Sequence, residues 1–351
     1  MLLLPPSVYK MIPQFDTHSI LELKDFLKEP RKIVITTHHK PDGDAMGSSL
    51  ALYHYLHNGG HSVTVIAPSD YPDFLNWMPG SDLVLNYEQA GGKSKQIASE
   101  ADLIFCLDFN SASRMEKFAE SVLASKAKKV LIDHHLDPEN FCDYTFSFVT
   151  SCATCEIMYY FLLEIGDKND ITQPAAECLY TGIMTDTGSF RFSSMTADTH
   201  QVIAELMRAG ASNFNIHENI YDNFSLERTR FLGHCIKEKL VVLPEYHTAY
   251  ISITKEELAA FHHQSGDTEG IVNYALGIKG IRMAAFFCER DNLIKISFRS
   301  KDSFSVKELA AAHFSGGGHR NASGGRSNES LEKTVEKFLG LLPGLKEKLT
   351  S

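Results

Sequence analysis

The sequence predicts an α/β protein of two lobes: an N-terminal domain built on a mostly parallel sheet, and a smaller C-terminal α/β domain with a cleft between them. Three observations predict it. Short apolar runs at 32–37, 62–67, 103–107 and 129–132 alternate with longer helix-compatible stretches, the pattern of parallel strands covered on both faces. A polar, helix-compatible stretch with few turn signals follows, from Thr199 to about Lys239, and a second set of short apolar runs lies beyond it. The 351 residues, 43% hydrophobic and 22% charged, suffice for two domains of common size. On this reading the first domain covers 12–200, a helical connector 201–240 and the second domain 241–351.

Taken in order, the run 32–37 is β-branched and ends at His38-His39-Lys40-Pro41-Asp42-Gly43-Asp44. The stretch 44–56 reads as a helix with acid at its N-terminus and Asn58-Gly59-Gly60 after its end, both favourable to the helix dipole and the C-cap. The strand 62–67 follows. Leu103-Ile104-Phe105-Cys106-Leu107 terminates in Asp108, and the run 129–132 terminates in Asp133-His134-His135. Pro174 opens a helix over 174–184, after which comes Thr185-Asp186-Thr187-Gly188. In the second lobe strands at 240–243, 247–253, 281–287 and 293–298 interleave with helices at 255–261, 269–276 and 306–313.

A formal net charge of −10 argues against a protein that holds long DNA by its overall field. Short anionic substrates remain compatible, since two bound divalent cations add about +4 locally. The start at Met1 carries no basic n-region, no apolar stretch reaches the length of a membrane span, and Met11 is a second candidate start. The expectation is a cytoplasmic protein with no membrane partner. Seven Cys scattered through apolar segments fit a reducing compartment. Cys152-x-x-Cys155 has no second pair and reads as packing. His39 points to the opposite strand face from His38 and reads as structural; His262, His263 and His313 read as surface or packing residues.

The chemistry lies in four clusters: His38 with Asp42 and Asp44, then Asp108, then Asp133-His134-His135, then Asp186. A lone Asp after a strand is ordinarily a cap or turn residue, but several converging carboxylates repel one another and need cations to stay ionised. Mixed Asp and His donors favour Mn²⁺, Fe²⁺, Co²⁺ or Zn²⁺ over Ca²⁺, with Mg²⁺ accommodated when waters complete its shell; Mn²⁺ is the expected metal. Two such ions, roughly 3.5–4 Å apart, clamp a phosphoryl oxygen and activate water, which points to hydrolysis of a phosphoester or phosphoanhydride. Three of the clusters end strands, where open α/β sheets bind their ligands.

In this order, H-x-x-P-D-x-D, a strand-end Asp, Asp-His-His and T-D-T-G resemble the DHH phosphoesterase superfamily. The resemblance implies that His38 and Asp42 hold one metal, that Asp44 and His134 hold the other, that Asp108 bridges them, and that Asp186 completes the first site. It further implies that His135 meets the substrate phosphate, with Asp108 and His135 the catalytic residues, and that Asp133 orients a histidine through a hydrogen bond. The segments 268–273, 297–300 and 316–322 resemble the associated C-terminal domain of the NrnA-like group within that superfamily. There Arg299, Gly317, Gly318, His319 and Asn321 would form a nucleotide clamp: glycine amides approach an anion closely and a guanidinium grips it bidentately. The resemblance covers about 32–342 and departs mainly at Lys40, where many relatives carry Asn; Lys40, Asn110, Ser111 and Arg114 stand as further phosphate contacts.

What the resemblance implies is a Mn²⁺-dependent phosphoesterase acting on short oligoribonucleotides or linear dinucleotides, and on 3′-phosphoadenosine 5′-phosphate. An exopolyphosphatase is the alternative. A family II pyrophosphatase shares the first half but lacks the G-G-G-H segment, and a processive single-strand exonuclease carries an added nucleic-acid domain. A non-catalytic nucleotide sensor would lack one or more metal ligands, whereas all six are present here. Relatives are commonly homodimers, although the residues themselves carry no interface signal.

Overall fold

The computed structural model describes residues 12–264 and 266–350; the choice between Met1 and Met11 as start lies outside them. The chain divides into two units, Met1–Asn223 and Phe224–Ser351.

The first unit carries six strands: β1 (Lys32–Thr36), β2 (Ser62–Ala67), β3 (Leu85–Asn86), β4 (Leu103–Leu107), β5 (Lys128–Asp133) and β6 (Tyr144–Ser147). They form one sheet in the order β3-β2-β1-β4-β5-β6, and every pairing is parallel. Its helices are α1 (Thr17–Phe26), α2 (Gly43–Asn58), α3 (Tyr87–Glu100), α4 (Ala119–Ala124), α5 (Thr154–Ile165), α6 (Gln173–Asp186), α7 (Ala197–Arg208) and α8 (Asn213–Tyr221). Ile33 and Ile35 pack into one core with Met46, Leu50, Phe161 and Ile183, while Val34 packs into another with Ile104, Phe118 and Val122. Burial on both faces explains why these strands read as unbroken apolar runs.

The expected connector is shared out instead of standing apart. Val202, Ile203 and Leu206 of α7 and Ile216 and Ile220 of α8 belong to the first unit's core, whereas Phe231 of α9 (Leu226–His234) belongs to a core of the second unit. The 201–240 stretch looked polar because each amphipathic helix shows only a narrow apolar stripe.

The second unit holds β7 (Leu240–Leu243), β8 (Thr248–Ile253), β9 (Met283–Glu289), β10 (Ile294–Ser300), β11 (Gly317–Gly318) and β12 (Ala322–Ser327), with α10 (Lys255–Ala260), α11 (Ile271–Leu276), α12 (Val306–His313) and α13 (Leu331–Thr350). The sheet order is β11-β12-β10-β9-β8-β7. Only β8 and β9 pair in parallel; the other ladders are antiparallel. Two cores flank it, one built on Phe287, Phe298 and Phe338 and the other on Ile251, Ile271 and Phe286.

Candidate metal centre

Strand register places the first donors. Thr36 pairs with Cys106 and Cys106 pairs with Leu131, so His38, Asp108 and Asp133, each two residues further on, leave three adjacent strands at one level. Here the strand order reverses, with β2 on one side of β1 and β4 on the other, the switch point at which doubly wound sheets open a crevice beyond the carboxyl ends. Asp108 turns there with φ 65°, a left-handed conformation that Asp tolerates at a cost.

Asp108 is common to three donor groups, namely His38 with Asp42, Asp44 with His134, and Asp133 with His135, the ligand atoms of each group lying within 4.8 Å of one another. His38 Nε2 is 3.6 Å from Asp108 Oδ2, and His134 Nε2 is 3.6 Å from Asp108 Oδ1 and 3.9 Å from Asp44 Oδ2. The opposite ring nitrogens meet backbone carbonyls: His38 Nδ1 donates to His39 O at 2.9 Å and His134 Nδ1 to Ser151 O at 3.3 Å. A carbonyl accepts only, so both rings are held with Nε2 directed at the carboxylates, the tautomer a metal-binding imidazole uses.

Asp42 caps α2, its Oδ1 accepting the N–H of Asp44 at 3.1 Å and of Ala45 at 3.2 Å. Asp44, in the first turn of α2, is buried and takes the N–H groups of Thr154 at 2.6 Å and Cys155 at 2.9 Å. It thereby caps α5 from another helix, since Ala153 at that cap has no side-chain acceptor. The Thr154 hydroxyl donates to Asp108 Oδ1 at 2.9 Å. Charge-assisted bonds of this kind contribute about 1.5–3 kcal/mol each. Small residues let α2 reach α6: a Cβ on Gly47 would stand 2.6 Å from Cys178 O, and one on Gly182 would stand 2.9 Å from Asp44 Oδ1.

Desolvation together with the charges of Asp44, Asp42, Asp133 and Asp186 pushes the Asp108 carboxyl well above the ordinary range. Burial likewise pushes Asp44 up, against the pull of His134, and burial lowers His38. For His134, burial pulls down but the Asp186 and Asp44 carboxylates outweigh it and the group is raised. A carboxylate surrounded by four others, with two imidazoles presenting Nε2, is a donor set that could hold divalent metal.

Asp186 ends α6, two residues beyond the expected helix end, and its Oδ2 lies 3.6 Å from His134 Nε2. That sets it beside His134 of the Asp44–His134 group, whereas the resemblance placed it with His38 and Asp42. Asp133 is fully buried and its Oδ1 accepts from His135 Nδ1 at 2.7 Å, so the histidine it orients is His135. His39 contacts Glu88 at 3.6 Å. Lys40 pairs with Asp70 at 3.2 Å, and Asn110 donates to Leu136 O at 2.6 Å.

In the second unit Arg299 lies on β10, opposite Ala322 of β12, and its Nη1 donates to Phe298 O at 2.9 Å. Gly317 and Gly318 form β11. Gly318 has φ 135°, and a Cβ there would stand 2.8 Å from Ala322 O, while a Cβ on Gly317 would meet nothing within 4 Å; close strand approach explains the former glycine. His319 donates its N–H to Ala322 O at 2.8 Å. Asn321 has structural employment: its Nδ2 reaches Ser300 Oγ at 2.9 Å and the carbonyls of Asp302 and Phe304 at 3.2 Å each.

Sequence reasoning missed the segment 151–156. Its contributions are mostly backbone groups, which any residue type carries, and the available signal was an Ala at a helix N-cap followed by Glu156 three residues on.

The pattern of the DHH family, N-terminal domain, matches residues 32–183, and that of the DHHA1 domain matches residues 252–343. Among curated proteins, the Bifunctional oligoribonuclease and PAP phosphatase NrnA of Bacillus subtilis (strain 168) is 28% identical over 293 residues, covering 83% of this chain and 88% of that protein. The protein of the same name from Thermus thermophilus is 27% identical over 321 residues, covering 91% and 90%. The crystal structure of an exopolyphosphatase-related protein from Bacteroides fragilis superposes with a TM-score of 0.92 at 40% identity, covering 96% of this chain and 99% of that one.

Proposed function

Because the chain belongs to the DHH family of phosphoesterases, we propose that it is a metal-dependent hydrolase that cleaves short oligoribonucleotides or linear dinucleotides to mononucleotides and dephosphorylates 3′-phosphoadenosine 5′-phosphate. The observation that carries this reading is Asp108, shared by donor groups on either side at the ends of three adjacent strands. His38, Asp42 and Asp108 would hold one ion, and Asp44, Asp108, His134 and Asp186 the other, with Mn²⁺ the metal best matched to the donor set. Two such ions supply Lewis acidity toward phosphoryl oxygens and a water activated for in-line displacement.

The chain's own residues do the rest. Asp133 fixes the His135 ring through Nδ1, so that Nε2 is the atom that meets the substrate phosphate. Thr154 and the first amides of α5 hold Asp108 and Asp44 in place before substrate arrives, which removes reorganisation from the reaction. Arg299, Gly317 and His319 would bind the nucleotide, while Asn321 shapes the loop that carries them. Seven thiols, all unpaired, accord with a cytoplasmic location, and no described helix is long and apolar enough to cross a membrane.

The test is a Mn²⁺-supplemented assay of 2-mer to 24-mer RNAs, linear and cyclic dinucleotides, 3′-phosphoadenosine 5′-phosphate, pyrophosphate and polyphosphate. Catalytic efficiency is expected to be greatest on dinucleotides and to fall toward the 24-mer. Polyphosphate ranking first would replace this reading with an exopolyphosphatase, and a 24-mer cut as efficiently as a dinucleotide would replace it with a long-strand exonuclease.

A further inference from the structure

Glu156 is a buried carboxylate, 5% exposed, that the chemistry above does not use. Its Oε2 accepts the N–H of Cys152 at 2.9 Å, and its Oε1 accepts the hydroxyl of Thr199 at 2.7 Å. The Cys152 N–H and the Ser151 carbonyl belong to one peptide group, and that carbonyl is the acceptor for His134 Nδ1 at 3.3 Å. A continuous line therefore runs from carboxylate through a planar peptide to imidazole, and its far end is the Nε2 that faces Asp108 and Asp186.

The amide is conjugated, so an anion bound at its N–H shifts electron density toward its oxygen and makes that oxygen a stronger acceptor. Cooperative strengthening of this kind is roughly 10–30% per bond. Histidine ligands are commonly oriented by a carboxylate or a carbonyl directly; here the carbonyl contacts the ring and the carboxylate stands behind it. On the reading of this site as a metal centre, we propose that Glu156 is a positioning residue: acting through the Ser151–Cys152 peptide, its charge holds His134 with Nδ1 as donor and strengthens Nε2 as a metal ligand.

A plain packing role is the rival. At the third position of α5 a Glu that reaches back toward the helix start is a familiar capping device, and it also fastens α7 through Thr199. The two roles separate on charge. Glu156→Gln keeps the shape and an oxygen that accepts from Cys152, and the Thr199 hydroxyl turns to accept from the new amide. A capping or packing role survives that change, and a charge relay does not.

The experiment is an equilibrium titration of metal-free protein with Mn²⁺, comparing wild type with Glu156→Gln, with thermal unfolding of both metal-free proteins alongside. The variant is expected to unfold within a few degrees of wild type and to lose about 10-fold in affinity in one of two binding steps, the size of effect typical of a group behind a ligand. Equal affinities in both steps would overturn the proposal while leaving the metal centre intact; a wild type that takes up no divalent ion would overturn both. Should the variant fail to fold, 15N spectra of the His134 ring in metal-free wild type at alkaline pH, where the ring is neutral, decide the matter. A protonated Nδ1 is expected, and a protonated Nε2 would end the proposal.

Discussion

The two units of the chain treat charge in opposite ways. The first holds 16 of the 34 Lys and Arg residues but 29 of the 44 Asp and Glu residues, and so is strongly acidic, while the second, with the remaining 18 and 15, is mildly basic. In the first unit acid is concentrated and buried: among the described residues, every donor group that contains a carboxylate includes Asp108. In the second, the buried Ser300 is paired locally, its Oγ accepting from Asn321 Nδ2 and donating to Phe304 O. A protein does not bury Asp44, Asp108 and Asp133 around one point for stability. The difference teaches that the first unit gathers carboxylates and imidazoles that could hold metal ions, while the second carries a small excess of basic side chains.

The largest expected effect breaks the first half of that comparison. Asp108→Asn keeps the shape and tolerates the left-handed backbone, so turnover on every substrate should fall below detection while the fold survives. In metal-free protein the same change should raise Tm by at least about 2 °C, because it removes one charge from among four others. A variant that stays active, or a metal-free Tm that falls, would show that Asp108 is not the shared carboxylate.

Asp133→Asn comes next. Since Asp133 is hydrogen-bonded to His135 and is not among the proposed ligands, kcat should drop on the order of 10–100-fold with little change in bound metal; a neutral result would mean that His135 needs no orienting partner. The second unit's half of the comparison is tested by Arg299→Ala and His319→Ala. Each should cost about 10-fold or more in kcat/KM on dinucleotides, with much less effect on bis-para-nitrophenyl phosphate and none on metal content. Equal losses on both substrates would give these residues a part in the chemistry or in folding. The smallest catalytic effect belongs to Asn321→Ala, which should destabilise the protein by about 1–3 kcal/mol through its unpaired acceptors, and a selective loss of nucleotide affinity without loss of stability would restore it to the clamp.

Much of the first unit was legible because its strands are covered on both faces: in a run such as Leu103–Leu107, the first polar residue after the strand is conspicuous, and Asp108 stands out for that reason. The same physics hid β12. Its residues, Ala-Ser-Gly-Gly-Arg-Ser, have little strand propensity, and it is a strand because it pairs with β10 along its length. Asp186 was found, while its neighbour His134, 3.6 Å away, depends on how α6 packs, which the local sequence does not display. The organising segment before α5 was missed because Ser151 acts through a carbonyl and Thr154 and Cys155 act through amides, groups that leave no mark in a sequence.

The central claim is that one carboxylate, Asp108, joins two ions. Electron paramagnetic resonance of protein titrated with Mn²⁺ tests it most directly, because ions bridged by a single carboxylate are magnetically coupled and isolated ions are not. Wild type is expected to bind two Mn²⁺ per chain with the spectrum of a coupled pair, and Asp108→Asn to lose that coupling. One ion per chain, or two ions whose spectra simply add, would contradict the account.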